Sequence, residues 1–299
     1  MPRILNVGSI NLDEVFTVPR FIAPGETMAC VAYERFLGGK GNNQSTALAR
    51  AGAAVHHAGK VGEDGGAAVA ALAASGVDVS RVIASGTPTG RALIQVDADG
   101  QNCIILYGGA NRAVTRDDVD SFLEGWGKGD AALFQNEVSC LDYAMERAAD
   151  RGLRIFFNPS PADDLVEALP LDRVSCFILN EVEAAMLCGR ERSDADPRDL
   201  LALLRARFPR ADLVLTLGER GARYSGADGE ESAVEAERVR AVDTTAAGDT
   251  FTGYYIAAAL RGEGTRVALA EATRAAAICV TRKGAAPSIP RRDELGAVQ

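Results

Sequence analysis

The run Val242-Asp243-Thr244-Thr245-Ala246-Ala247-Gly248-Asp249-Thr250-Phe251 leads small residues into Gly248-Asp249, and a helical pattern follows from Thr250 to Leu260. Small side chains at a helix start let a ligand approach the backbone closely. The free amides there, with the positive end of the helix dipole, favour an anion. A carboxylate such as Asp249 beside an anion site makes chemical sense if it faces a proton donor. Phosphoryl transfer needs that pairing, with amides for the charged transition state and a carboxylate for the hydroxyl proton. An Asp that caps a tightly packed helix is the other reading of the same residues.

Three further clusters carry polar groups at suggestive spacing. Gly38-Gly39-Lys40-Gly41-Asn42-Asn43-Gln44 stands directly before helical residues 45–51. It lacks the third glycine of a dinucleotide fingerprint, and the chain has no G-K-[ST] of a Walker A loop. What remains is a Gly-rich turn presenting Lys40, Asn42 and Asn43, amides and one cation suited to sugar hydroxyls, or else a flexible turn capping a helix. Asn11 and Asp13, two apart, share one face if extended and can hold neighbouring hydroxyls, or are solvated turn groups. Asn180 and Glu183 open a helix after a buried strand, where they suit hydrated Mg²⁺ near phosphates or a capping role.

These residues need a scaffold. Residues 4–9, 131–135, 154–158, 175–180 and 213–217 read as buried strands. Residues 115–124, 141–151, 181–187 and 196–205 carry apolar positions at helical spacing. The alternation predicts an α/β fold with a mainly parallel central sheet flanked by helices, whose ligands bind at the carboxyl ends of the strands. Polar residues just past strands, Asn180 and Glu137 among them, are therefore site candidates. Residues 11–35, with Pro19, Pro24 and Gly25, break the rhythm. So does the stretch 91–107, a hairpin turning at Asp97-Ala98-Asp99-Gly100. Together they suggest a small second sheet, a natural lid or dimer contact. The organisation expected is one domain over 1–299, its lid formed from about 12–36 and 90–108.

Composition excludes several classes. The 299 residues are 47% hydrophobic and 24% charged, a globular balance. A net charge of −9 gives no reason for non-specific binding to nucleic acid or anionic lipid. The most apolar short run, 254–260, is far below the ~20 residues of a membrane span, and the N-terminus lacks a signal-peptide layout. Six scattered cysteines without C-x-x-C argue against disulfide and zinc frameworks. His56 and His57 are the only histidines, so a Ser-His-Asp triad would have to use one of them. A cytoplasmic location is expected.

Taken together, GSINLD at 8–13, GGKGNNQ at 38–44, NEVE at 180–183, TLGERG at 216–221, VDTTAAGDTF at 242–251 and VTRKGAAPSIP at 280–290 resemble the motifs of the ribokinase-like (phosphofructokinase B type) family of carbohydrate kinases. The resemblance covers essentially the whole chain. It implies transfer of the γ-phosphoryl group of ATP to the primary hydroxyl of a pentose, D-ribose first, with a nucleoside of the pseudouridine or adenosine type or another sugar as alternatives. It implies Asp249 as the base and the amides of Ala246, Ala247 and Gly248 as the anion hole. Asn11, Asp13, Gly39, Lys40, Asn43 and Glu137 would line the sugar site. Asn180, Thr216, Gly218, Gly221, Gly248 and Thr273 would meet ATP, and Glu183 would place Mg²⁺ through water. Potassium would lie at Asp243, Thr245, Cys279, Arg282, Gly284 and Ser288, mostly on backbone carbonyls. A homodimer through the lid is implied as well. Asn42 stands where the family commonly has Ala, Thr273 where a larger residue is frequent, and Gln95 and Tyr107 are unusual in the lid.

Overall fold

The computed structural model describes residues 2–190 and 196–296; the ends of the expected 1–299 span fall outside that set. β1 (Arg3–Val7), β4 (Ala54–Val61), β5 (Asp78–Ala84), β8 (Ala131–Gln135), β9 (Arg154–Asn158), β10 (Cys176–Asn180) and β11 (Asp212–Thr216) are joined by β12 (Ala222–Ser225) and β13 (Glu231–Val234) in one sheet. Its order is β13-β12-β11-β10-β9-β8-β1-β4-β5. All pairings are parallel except those of β12 and β13. The compact apolar runs of the sequence are the central strands, buried on both faces.

Alternate strand residues feed two cores. Ile4, Leu133, Phe156 and Ile178 pack with α1 (Lys40–Arg50), α2 (Gly66–Ala74), α7 (Ala247–Leu260) and α8 (Thr265–Cys279). Leu5, Phe134, Phe157 and Phe177 face α3 (Arg116–Phe122), α4 (Leu141–Asp150), α5 (Glu181–Leu187) and α6 (Pro197–Arg207). At the carboxyl edge the central strands end in polar residues: Gln135, Asn158, Asn180 and Thr216. Among the described residues no helix is long and apolar enough to cross a membrane, and all six cysteines are free.

β2 (Asn11–Thr17), β3 (Ala32–Gly38), β6 (Gly90–Val96) and β7 (Asn102–Tyr107) form a separate sheet in the order β3-β2-β6-β7. β2 runs parallel to β6, and the other two pairings are antiparallel. The register puts Phe36, Asp13, Ala92 and Leu106 in one row across it, with Glu34, Val15, Ile94 and Ile104 in the next row of the same face.

Two helix starts differ from the sequence reading. α1 begins at Lys40, so Lys40, Asn42 and Asn43 lie in the helix and not on a preceding turn. Its first amides already have protein partners: Lys40 N–H donates to Glu137 Oε2 (3.0 Å), Gly41 N–H to Ser9 Oγ (3.2 Å) and Asn42 N–H to the Ser9 carbonyl (2.8 Å). α7 begins at Ala247, with Ala246 as N-cap in the left-handed region (φ 62°). Asp249 is therefore the third residue of the helix, and the N-cap reading fails. The two helices approach closely, since a Cβ on Gly253 would lie 2.4 Å from the Ala47 Cβ. Asn43 and Asp249 lie one turn earlier on the same faces, which brings their side chains together.

Candidate active site

Two cavities open at the carboxyl edge of the large sheet. The larger, about 900 Å³, is bounded by Asn11, Asp13, Gly39, Asn43 and Glu137, by the inner rows of the small sheet, and by Asp243, Thr245 and Gly284. The smaller, about 250 Å³, is lined by Asn158, Ser160, Asn180, Glu183, Thr216, Ala247 and Gly248. Lys40, Thr244, Ala246 and Asp249 line both. A carboxylate, a cation and the start of a helix thus stand where the two spaces meet.

Asp249 is held from α1. Asn43 Nδ2 donates to its Oδ2 and Gln44 Nε2 to its Oδ1, both at 2.9 Å. Lys40 beside it is half-buried. Burial works against its charge, but the carboxylates of Asp249, Glu137 and Glu183 outweigh it and raise the Lys40 pKa above the ordinary value. Sequence reasoning placed Lys40 with the sugar alone, whereas the structure puts it against both cavities.

Asp13 sits between Phe36 and Ala92 across the small sheet. Burial first, then the nearby charges of Glu137 and Asp249, push its pKa up to about 7. Its Oδ1 has no hydrogen-bond partner, an acceptor left for a ligand hydroxyl. Gly38 makes room for it, because a Cβ there would meet Asp13 Oδ2 at 1.9 Å. Asn11 Oδ1 accepts from Asn111 Nδ2 at 2.8 Å. Glu137, just past β8, accepts from Ser9 Oγ as well as from the Lys40 amide.

On the other side, Asn180 caps α5 with its side chain while the Glu183 carboxylate accepts from the Asn180 amide at 2.9 Å. Capping and cavity lining thus coexist in one pair. Burial raises the Glu183 pKa, against hydrogen bonds from Asn180 and Ser160 and the charge of Lys40. Among the described residues no three His, Cys, Asp or Glu side chains gather as a direct metal cage. A single carboxylate at a cavity wall suits a divalent ion that keeps its water.

Beside the larger cavity, Asp243 accepts from the backbone amides of Thr245 and Gly284, both at 2.9 Å. Burial opposes its charge, but these hydrogen bonds outweigh it and hold its pKa below the carboxylate range. Cys279 Sγ lies 3.0 Å from Ser288 Oγ and 3.7 Å from the Thr245 carbonyl. The Arg282 side chain turns away to Glu294. This gathering of carbonyl and hydroxyl oxygens suits a monovalent cation.

Some residues singled out in the sequence line neither cavity: Gly218, Gly221, Thr273, Cys279, Arg282 and Ser288. Thr273 is buried in α8, its Oγ1 without a partner. Others were missed. Asn158 and Ser160 were within reach of the strand-end rule, whereas nothing local marked Asn111. Ser45 Oγ and His57 Nδ1 do pair at 2.8 Å. Yet His57 is fully buried, which pulls its pKa down to about 4, and neither residue lines either cavity. That leaves no hydrolytic triad there.

Known proteins are similar to this chain over nearly its whole length. The family model of the pfkB family carbohydrate kinases matches residues 1–292. The ribokinase of Haemophilus influenzae is 36% identical over 98% of this chain and 97% of its own length. A deoxyribokinase of Salmonella typhimurium is 30% identical over 95% and 94%. Among solved structures, Arabidopsis thaliana ribokinase complexed with ribose and ATP aligns with a TM-score of 0.85 at 27% identity, covering 98% of this chain and 97% of that one. With two cavities meeting at one carboxylate and a family match over nearly its whole length, the chain belongs to the pfkB family of carbohydrate kinases, phosphotransferases with an alcohol group as acceptor.

Proposed function

We propose that this kinase transfers the γ-phosphoryl group of ATP to the primary hydroxyl of D-ribose, giving ribose 5-phosphate. The observation that carries the reading is the set of four residues shared by the two cavities, with Asp249 among them. The sugar occupies the larger cavity. Asn11 and Asp13 accept from neighbouring hydroxyls, with Gly39, Lys40, Asn43 and Glu137 around them, and Asp249 takes the proton of the attacking hydroxyl. ATP occupies the smaller cavity against Asn180 and Thr216, with the glycines 218 and 221 and Thr273 further out.

The amides of Ala246, Ala247 and Gly248 stabilise charge on the transferred group. The Ala247 amide donates to the Thr244 carbonyl at 3.3 Å, a long bond that a charged oxygen can displace. Mg²⁺, held through water by Glu183, would neutralise phosphate charge when bound. K⁺ would sit among the oxygens around Asp243, Thr245, Gly284 and Ser288 and the backbone of Cys279 and Arg282, fixing the turn that carries the anion hole.

A nucleoside acceptor is the second reading, favoured by the size of the larger cavity and by its apolar inner row, Val15, Ile94 and Ile104, on which a base could rest. ATP turnover over ribose, 2-deoxyribose, fructose, pseudouridine and adenosine, with and without potassium, separates the readings. Fastest, potassium-stimulated turnover with ribose is expected. Preference for a nucleoside moves the acceptor assignment, and no turnover with any of them sinks both.

The small sheet acts in this reading as a lid over the sugar and as a dimer contact. Its outward residues Tyr33, Leu93, Ile105 and Tyr107 are 37–60% exposed, an apolar patch of the kind that marks interaction surfaces. Sedimentation at micromolar protein should give a dimer, and Ile105→Asp should shift it to monomer. A wild-type monomer at that concentration removes the dimer from the proposal.

A further inference from the structure

Behind the site lies a chain of buried amides that neither cavity touches directly at Asn6, Gln44 or Gln135. Asn6 Nδ2 donates to the Gly41 carbonyl and to Ser45 Oγ, both at 2.8 Å. Gln135 Nε2 donates to Asn6 Oδ1 (2.9 Å) and to Gln44 Oε1 (2.8 Å). Gln44 Nε2 donates to Asp249 Oδ1 and to Asn158 Oδ1, both at 2.9 Å. Asn158 Nδ2 donates to the Ile178 carbonyl (2.9 Å) and, at 3.4 Å, to Glu183 Oε2.

Each of these amides has two N–H bonds, and all eight are used. A side-chain amide is nearly symmetric in shape, so its orientation is set by its partners. Here both ends are anchored on backbone carbonyls, which only accept: Gly41 O fixes Asn6, and Ile178 O fixes Asn158. From those ends only one orientation of Gln135 and Gln44 leaves every contact donor to acceptor. Reversing Gln44 would turn its oxygen on the Asp249 carboxylate and on Asn158 Oδ1, and its NH₂ on that of Gln135. The whole chain therefore delivers N–H donors to two carboxylates, Asp249 where the two cavities meet and Glu183 in the smaller one.

We propose that Gln44 is a positioning residue that holds the Asp249 carboxylate at a fixed angle, and that Gln135 acts through it by locking the Gln44 amide. This rests on Asp249 as the base of the proposed reaction. A base held through one oxygen by Gln44 and through the other by Asn43 cannot rotate away from the acceptor hydroxyl, and misplacement of that order costs rate, not affinity.

Gln44→Met keeps length and removes the amide. Its kcat is expected to fall about tenfold or more, with KM for sugar and ATP within about twofold. Gln135→Met, which leaves the Gln44 amide in place, should show a smaller loss with the same split, and the double variant should be no slower than Gln44→Met alone. Independently of activity, the side-chain NH₂ resonances of Gln44 in ¹⁵N spectra of the full chain should be protected from exchange in wild type. They should move in both Gln135→Met and Asp249→Asn. Folded Gln44→Met with wild-type kcat, additive losses, or Gln44 resonances indifferent to Gln135→Met would overturn the proposal. If Gln44→Met does not fold, Gln135→Met and the resonances decide. If wild type turns over no acceptor, the base assignment falls while the resonances still judge the amide lock.

Discussion

Asp249→Asn should lower kcat by about 10²–10⁴-fold, the usual contribution of a positioned general base, while ATP binding stays close to wild type. The amide keeps the shape of the carboxylate but cannot take the proton of the attacking hydroxyl. It also turns one of the two oxygens that accept from Asn43 and Gln44 into a donor, so a modest loss of thermal stability should accompany the loss of rate. Steady-state turnover and calorimetric titration with ATP separate the two effects. A variant with near-normal kcat would remove Asp249 from the chemistry, and one that no longer binds ATP would make its role structural.

Asp13→Asn should stabilise the free enzyme and weaken its hold on the sugar. Asp13 has a pKa pushed up to about 7 in the folded chain against an ordinary 3.8. Between those values the folded state keeps a proton that the unfolded state has released. The folded state then binds more protons, so this group makes stability fall as pH rises from about 4 to 7. Above pH 7 the accumulated cost is roughly 4 kcal/mol at most. Asn carries no such cost, so the melting temperature of the variant should exceed that of wild type at pH 8, and the gap should close towards pH 4. For the wild type, the sugar KM should rise as pH falls below 7, since protonation removes the charged acceptor. Equal melting temperatures at pH 8, or a sugar KM flat across pH 5.5–8, would contradict this account.

Much of this was legible in residue order, for physical reasons that also mark where legibility stopped. Central strands buried on both faces must be short and apolar, and β8, β9 and β10 stood out as such. β4 and β5 did not, because His57 and Lys60 interrupt the first and the second lies at the sheet edge with its residues only half-buried or exposed. The start of α1 was hidden for a different reason. Gly-Gly-Lys-Gly reads as a turn by propensity, yet Glu137 and Ser9, distant in sequence, cap its amides and let the helix begin at Lys40. Asp249 was marked by its own neighbourhood, whereas its partners on α1 lie 206 and 205 residues away. No spacing rule reaches that far. Gln44 was visible in its motif, but its work depends on Gln135 and Asn158, which only the folded sheet brings near.

In the proposed reading the larger cavity takes the acceptor, and it is walled by two structures of unequal freedom. On one side stand Lys40, Thr244, Ala246 and Asp249, shared with the smaller cavity, so a change there would reach both proposed substrates. On the other stand Phe36, Ala92, Ile94, Ile104 and Leu106, which line the acceptor space alone. They belong to a sheet with its own hydrogen-bond ladder. Such a division makes acceptor preference separable from catalytic competence. An engineer seeking a new acceptor should therefore randomise those same positions first.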